Sequence, residues 1–285
     1  MARMKRVAAI NDISGIGKCS LTVALPILSS AGIETAVIPT AVLSTHTGGF
    51  KNFTYRDLTD DILPIAKHWQ SLNLKFDSIF TGYLGSTEQI DIVLNIIDML
   101  SDKDTLIFVD PVMADSGKLY ATFDENFPAQ MMKLCKKADI IIPNITEACF
   151  LTGVEYKESP HSNEFIEELI SKLRKICDKK IVLTGVDFDK DHFGCACYDN
   201  EKDRVEYALS KEIDGFYQGT GDVFGSSLLA CLMNGKSLEE STQIAMTIVV
   251  NSIIRTKNDE TDLRYGVRFE DEIPTLIRSL GKWKV

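Results

Sequence analysis

Long apolar runs are missing from this sequence of 285 residues: none approaches the ~20 needed to cross a bilayer, so no membrane span is expected. The lead-in Met1–Arg6 also lacks an apolar signal stretch, which predicts a cytoplasmic protein. Basic charge is scarce. Lys and Arg number 31 against 41 Asp and Glu, a formal net charge of −10, and a nucleic-acid backbone would be repelled. The clusters Lys133, Lys136, Lys137 and Lys172, Arg174, Lys175 read as solvated helix faces, so neither nucleic acid nor membrane is expected as a partner. Paired metal knuckles are missing too. The cysteines (Cys19, Cys135, Cys149, Cys177, Cys195, Cys197, Cys231) are odd in number and scattered, and the one-residue gap between Cys195 and Cys197 is not metal-ligand spacing. Free thiols in a reducing compartment are expected. Repeats, low-complexity tracts and linkers are absent, which predicts one domain over residues 1–285.

What is present is a globular composition, 45% hydrophobic and 25% charged. Near-continuous apolar runs predict strands at Val7–Ile10, Glu34–Val42, Ser78–Thr81, Leu106–Asp110, Ile140–Pro143 and Lys180–Thr184. Amphipathic stretches between them predict helices at Ser20–Ala31, Asp57–Leu72, Thr87–Leu100, Ala129–Lys137, Thr146–Leu151 and Asn163–Cys177. This alternation predicts an α/β three-layer sandwich, a mostly parallel sheet with helices on both faces. Phe193–Tyr198 and Arg204–Leu209 flank Asp199-Asn200 as an antiparallel edge hairpin, and a largely helical end follows. In such sheets ligands bind beyond the carboxyl ends of the strands. Asn11-Asp12, His46-Thr47-Gly48-Gly49, Gly82-Tyr83, Asp110 with Asp115, Asn144 with Glu147, and Thr184-Gly185 all stand at that rim.

The motifs narrow the chemistry. Asn11 to Ser20 imitates a P-loop but carries Asp12 where the first glycine belongs and Cys19 where a hydroxyl should hold Mg²⁺, so that reading fails. No Gly-x-Gly-x-x-Gly follows the first strand, which argues against a nucleotide-dependent redox enzyme. Gly219-Thr220-Gly221-Asp222 directly precedes an apolar helix. Its N–H groups make an anion hole and Asp222 can act as base, although a capping aspartate after a glycine turn reads equally well. Asn144 and Glu147 suit a hydrated Mg²⁺ on nucleotide phosphates, or simply an acid in a first helical turn. Asp110 and Asp115 could help hold such a complex or belong to an ordinary strand-ending turn. His46 has no second histidine at ligand spacing, so it is a ligand contact or a structural residue rather than a metal site.

These motifs, in this order, resemble the ribokinase-like superfamily, and within it the vitamin kinases that act on pyridoxal or hydroxymethylpyrimidine. The resemblance spans nearly the whole chain. It rests on Ser14-Gly15, Ser44-Thr-His-Thr-Gly48, Thr81-Gly-Tyr-Leu84, Val109-Asp-Pro-Val-Met113, Asp115 with Gly117-Lys-Leu-Tyr120, Pro143-Asn-Ile-Thr-Glu147, Leu183-Thr-Gly185 and Gly219-Thr-Gly-Asp222. It implies an ATP-dependent kinase of vitamin B6 rings with Asp222 as base and Gly219, Thr220 and Gly221 as anion hole. It further implies Asn144, Thr184, Asp115 and Tyr120 on ATP and its phosphates, and Glu147 and Asp110 at Mg²⁺. Asp12, Ser14, His46, Thr47 and Tyr83 would line the vitamin pocket. A monovalent cation such as K⁺ and a homodimer are habits of the family. One departure stands out. Pyridoxal kinases commonly carry serine where this chain has Asp12, and a carboxylate there could bond a protonated ring nitrogen or an amine. A hydroxymethylpyrimidine kinase of thiamine synthesis is the alternative from the same class, and a non-catalytic vitamin-binding protein the alternative from another.

Overall fold

The computed structural model describes residues 3–259 and 262–282; the first two residues of the Met1–Arg6 lead-in lie outside them. The chain begins β1 (Arg6–Ser14), α1 (Leu21–Ser30), β2 (Glu34–Leu43), β3 (Tyr55–Asp57), α2 (Thr59–Ser71), β4 (Ser78–Thr81) and α3 (Thr87–Leu100). It continues β5 (Leu106–Val109), β6 (Ala114–Asp115), β7 (Lys118–Leu119), α4 (Phe127–Cys135), β8 (Ile140–Ile141), α5 (Ile145–Thr152) and α6 (Asn163–Leu173). The last part holds β9 (Lys180–Asp187), β10 (Phe193–Asp199), β11 (Arg204–Ser210), α7 (Thr220–Met233), α8 (Leu238–Asn258) and α9 (Ile273–Ser279).

Nine strands form one sheet in the order β11-β10-β9-β8-β5-β4-β1-β2-β3. Pairing is parallel from β9 to β2 and antiparallel at both ends. Each central strand is buried on both faces, so its residues alternate between two cores. Ala8, Ile10, Ile79, Ile107, Val109, Ile141 and Leu183 pack with α2 to α6 on one side. Val7, Ala9, Phe80, Phe108, Ile140 and Val182 pack with α1, α7, α8 and α9 on the other. The expected three-layer α/β sandwich is therefore the fold.

The chain leaves β1 for β2 on one side and returns to β4 on the other, so the strand order reverses between β1 and β4. That crevice is where an open α/β sheet receives ligands. Beside Pro39, which has no N–H to give, the β1–β2 register slips by one residue between Asn11 and Ile13. The slip falls at Asp12. It also lets β1 run on to Ser14, four residues past the predicted end at Ile10.

Two short features escaped the sequence pattern. Tyr55–Asp57 is strand β3, paired antiparallel with Ala41–Leu43, so Asp57 ends a strand instead of opening the predicted helix. The Asp57 carboxylate accepts the Thr59 N–H at 2.8 Å, and the helix begins only there. The β6–β7 hairpin, two residues per strand, follows Asp110-Pro111 and carries the chain across the rim. All seven cysteines are free thiols, and all seven are buried. Among the described residues no helix is long and apolar enough to cross a membrane.

The alternating cores give a direct stability prediction. Phe108 is wholly buried and meets Phe80 edge-on, ring centroids 5.2 Å apart. Phe108→Ala should lower the unfolding free energy by about 3–5 kcal/mol, read as a shifted midpoint in urea with an unchanged slope.

Candidate active site

Two helices, α5 and α7, start at the carboxyl rim of the sheet, and their amino termini are treated differently. At α5 the Asn144 side chain accepts the Glu147 N–H at 2.9 Å while Glu147 Oε2 accepts the Asn144 N–H at 2.9 Å. This reciprocal pair satisfies the terminus from within. At α7 the cap is Gly219, at φ 76°, and no side chain caps the turn. The Thr220, Gly221 and Asp222 N–H groups precede the first intrahelical bond, from Val223 N–H to the Gly219 carbonyl at 3.0 Å. They form an open, positively polarised end at which an anion is stabilised. Thr220 turns its hydroxyl back to the Tyr217 carbonyl at 3.2 Å, and a Cβ built on Gly221 would meet nothing within 4 Å. The hole is therefore built of main chain. Gly219 is required there: a Cβ on it would sit 2.1 Å from the Lys18 carbonyl oxygen.

Asp222 lies in that first turn. Burial, with the Asp12 charge nearby, lifts its carboxyl to about 7, while the Ser20 N–H and the Asn11 amide hold it down. Asn11, at the end of β1, organises the crevice. Its Oδ1 accepts the Asp12 N–H at 2.9 Å and, across from β4, the Tyr83 N–H at 2.8 Å. Its amide nitrogen occupies the space a Cβ on Gly82 would need, 2.2 Å away. Asp12 is buried and accepts the Ser14 hydroxyl at 3.1 Å and the Ser20 hydroxyl. Burial pushes the Asp12 pKa up and these bonds oppose the shift. Both oxygens of Asp12 thus already have partners from the protein.

On the vitamin side suggested by the motifs, Thr47 and Tyr83 line a cavity of about 300 Å³ with Phe53, Tyr55, Asp57, Gly85 and Thr122. His46 stands apart. Its Nε2 donates to the Arg264 carbonyl at 2.6 Å and its Nδ1 accepts the Gly48 N–H at 3.0 Å. Both ring nitrogens serve the backbone, and the ring fills the place of a Gly17 side chain, whose Cβ would lie 2.0 Å from it. On the phosphate side, Asp115 and Asn144 line a cavity of about 170 Å³ with Ser116, Thr146, Gly185 and Asp187. Thr184 pairs with Asn144 across the β9–α5 junction, and the Thr146 hydroxyl accepts the Gly117 N–H at 3.0 Å. Tyr120 is 39% exposed, and its phenol is pushed upward by burial, then by Glu147, Asp115, Asp110 and Asp222.

At this rim the carboxylates crowd. Burial, then Glu147 and Asp222, hold Asp110 well above the usual range. Burial raises Glu147 to about 8, against backbone bonds that include the Met113 N–H at 3.1 Å. Among the described residues no three acidic, histidine or cysteine side chains converge as a protein cage for a metal. The donor set instead fits Mg²⁺ that keeps most of its water and needs few protein oxygens. Mutually repelling acids around Asp110 are the environment that such a cation relieves.

Sequence reasoning singled out Thr47 and Tyr83 of one cavity, Asp115, Asn144 and Gly185 of the other, and the residues of the open helix end; it gave no role to Phe53, Tyr55, Asp57, Gly85 and Thr122, nor to Ser116, Thr146 and Asp187. It noted Asn11 at the rim without giving it a role, and it missed Ser20. An amide directly after a strand was a usable signal for the first. The second depends on backbone angles that residue type does not encode.

A carboxyl raised toward neutrality beside helix N–H groups that no side chain caps is an arrangement suited to phosphoryl transfer to a hydroxyl. On this fold it defines a ribokinase-like kinase. The chain belongs to the phosphomethylpyrimidine kinase family, whose sequence profile matches residues 27–265. A Bacteroides thetaiotaomicron protein provisionally described as a phosphomethylpyrimidine kinase, crystallised with pyridoxal, is 37% identical, with 96% of each chain covered and a TM-score of 0.91. The pyridoxal kinase of Lactobacillus plantarum is 31% identical, with 97% of this chain and 98% of that one covered and a TM-score of 0.88. Dictyostelium discoideum pyridoxal kinase is 28% identical over 209 residues, 67% of this chain and 66% of its own length.

The buried acids predict a pH signature. A carboxyl raised in the fold contributes stability in full below its ordinary value of 4.5 and loses it as pH rises through about 8. Glu147→Gln has no such titration. In thermal melts without Mg²⁺, the Tm of Glu147→Gln relative to the unsubstituted protein should rise from about pH 5 to about pH 8. A constant difference would mean that Glu147 is ionised throughout.

Proposed function

We propose that this protein is an ATP-dependent kinase of vitamin B6 rings, phosphorylating pyridoxal, pyridoxine or pyridoxamine at the 5′-hydroxymethyl group. The observation that carries the reading is Asp222, raised to about 7 beside main-chain N–H groups that nothing in the protein caps. A base poised near neutrality can take the hydroxyl proton, and preorganised N–H donors stabilise the charge that grows on the transferring phosphoryl group. The likeness to the pyridoxal kinase of L. plantarum and to the B. thetaiotaomicron protein crystallised with pyridoxal supports the ring.

In this mechanism the triphosphate of ATP runs along the cavity of Asp115, Asn144 and Thr146, with Thr184 beneath and Tyr120 above. The vitamin enters from the side of Thr47 and Tyr83, beyond Asp12 and Ser14. Asp222 takes the proton from the hydroxymethyl oxygen as that oxygen bonds to the γ-phosphorus, and ADP leaves. Gly219, Thr220 and Gly221 supply the turn that receives the phosphoryl oxygens. Asp110, with Glu147 behind it, would hold hydrated Mg²⁺, which when bound neutralises phosphate charge. Dependence on K⁺ and a homodimer are proposed from the family resemblance, and a reducing cytosol from the seven free thiols.

A phosphomethylpyrimidine kinase is the second reading, favoured by the family profile and by Asp12. Comparing kcat/KM for the three B6 vitamers with that for hydroxymethylpyrimidine decides between the rings. The vitamers should win, and exclusive turnover of the pyrimidine would reverse the assignment. Asp222→Asn should lower kcat by roughly 10²–10⁴-fold while vitamer binding persists in calorimetry. An unchanged kcat would remove Asp222 from its role.

A further inference from the structure

The turn between β1 and α1 is twisted in a way its residues do not favour. Gly17 has φ 120°, Lys18 φ 49° and Ser20 φ 54° with ψ −132°. For Ser20 this backbone is strained, and strain of order 1–3 kcal/mol persists only where the surroundings hold it. They do so on three sides. The Lys18 carbonyl packs against Gly219, the Gly17 carbonyl against Gly266, and the Gly17 Cα against the His46 ring, each too closely for a Cβ. Ser20 is the cap residue of α1, yet its side chain does not cap that helix. The hydroxyl donates to Asp12 instead, and the main-chain N–H of the same residue faces the Asp222 carboxylate. One strained residue thus stands between the two acids of the crevice, its hydroxyl bonded to Asp12 and its N–H lowering the Asp222 pKa.

We propose that Ser20 is a positioning residue for phosphoryl transfer, its left-handed backbone fixing the spacing of Asp222 and Asp12 through one N–H and one hydroxyl. The proposal rests on Asp222 being the base. Neutral donors on both acids let two like charges stand close without turning away from the crevice, which keeps Asp222 aimed at the hydroxymethyl oxygen.

Two substitutions separate positioning from simple backbone fit. Ser20→Ala removes the hydroxyl and keeps the strain; Ser20→Gly removes the hydroxyl and relieves it. Both should lose kcat by on the order of 10- to 100-fold, with KM for MgATP and Kd for pyridoxal moving by less than about threefold. Ser20→Gly should nevertheless melt at a higher temperature than Ser20→Ala. Activity and stability would then part company, which a merely structural residue would not allow. If Ser20→Gly keeps unsubstituted kcat, or if kcat follows Tm across the pair, the inference is overturned. Measured alongside, Asp222→Asn distinguishes the failures. Should it retain full kcat, the base assignment itself falls; should it be inactive while Ser20→Gly is fully active, only the role of Ser20 falls.

Discussion

The unbonded N–H groups at the amino terminus of α7 are what the rest of this site depends on. A helix end inside a protein is ordinarily capped, and this protein shows the ordinary solution at α5, where Asn144 and Glu147 form a reciprocal cap. At α7 a glycine in left-handed backbone stands where a capping side chain would be. Leaving those donors open sacrifices local stability unless an anion takes them. In the proposed mechanism the transferred phosphoryl group is that anion. The packing of Gly219 on the Lys18 carbonyl also ties the hole to the strained β1–α1 turn, so the hole and the crevice have one geometry.

Charge is the second constraint. Asp12, Asp110, Glu147 and Asp222 gather in a molecule whose net charge is already negative; burial raises all four pKa values, and repulsion from neighbouring acids adds to it at Asp110, Glu147 and Asp222. Purely structural acids of this kind would be replaced by apolar residues at little cost. Their partners differ by role. Glu147 is anchored by main-chain N–H groups, Asp12 by two serine hydroxyls, and Asp222 by one N–H and one amide.

Much of this was legible in the sequence, because buried parallel strands write themselves as apolar runs and because the rim residues follow those runs directly. Gly219 to Asp222 stood before an apolar helix, and that placement alone made an anion hole readable. What was not legible has physical causes. Strand β3 and the β6–β7 hairpin are too short to show a period, and their pairing depends on where distant segments fold. The commitment of both His46 nitrogens to backbone is a matter of tertiary position, invisible in Ser-Thr-His-Thr-Gly-Gly. Ser20 looks like a routine helix cap, and only its φ and ψ, with the direction of its hydroxyl, distinguish it.

The central claim is that Asp222 is a base held near neutrality at an open helix end. The pH dependence of kcat/KM for pyridoxine tests it most directly, since that quantity reports the titration of essential groups in the free enzyme. An acid limb with its midpoint at about 7, displaced or abolished with activity in Asp222→Asn, is the predicted result. A profile that stays flat down to about pH 5, through the range in which a base of this kind must become protonated, would contradict the account.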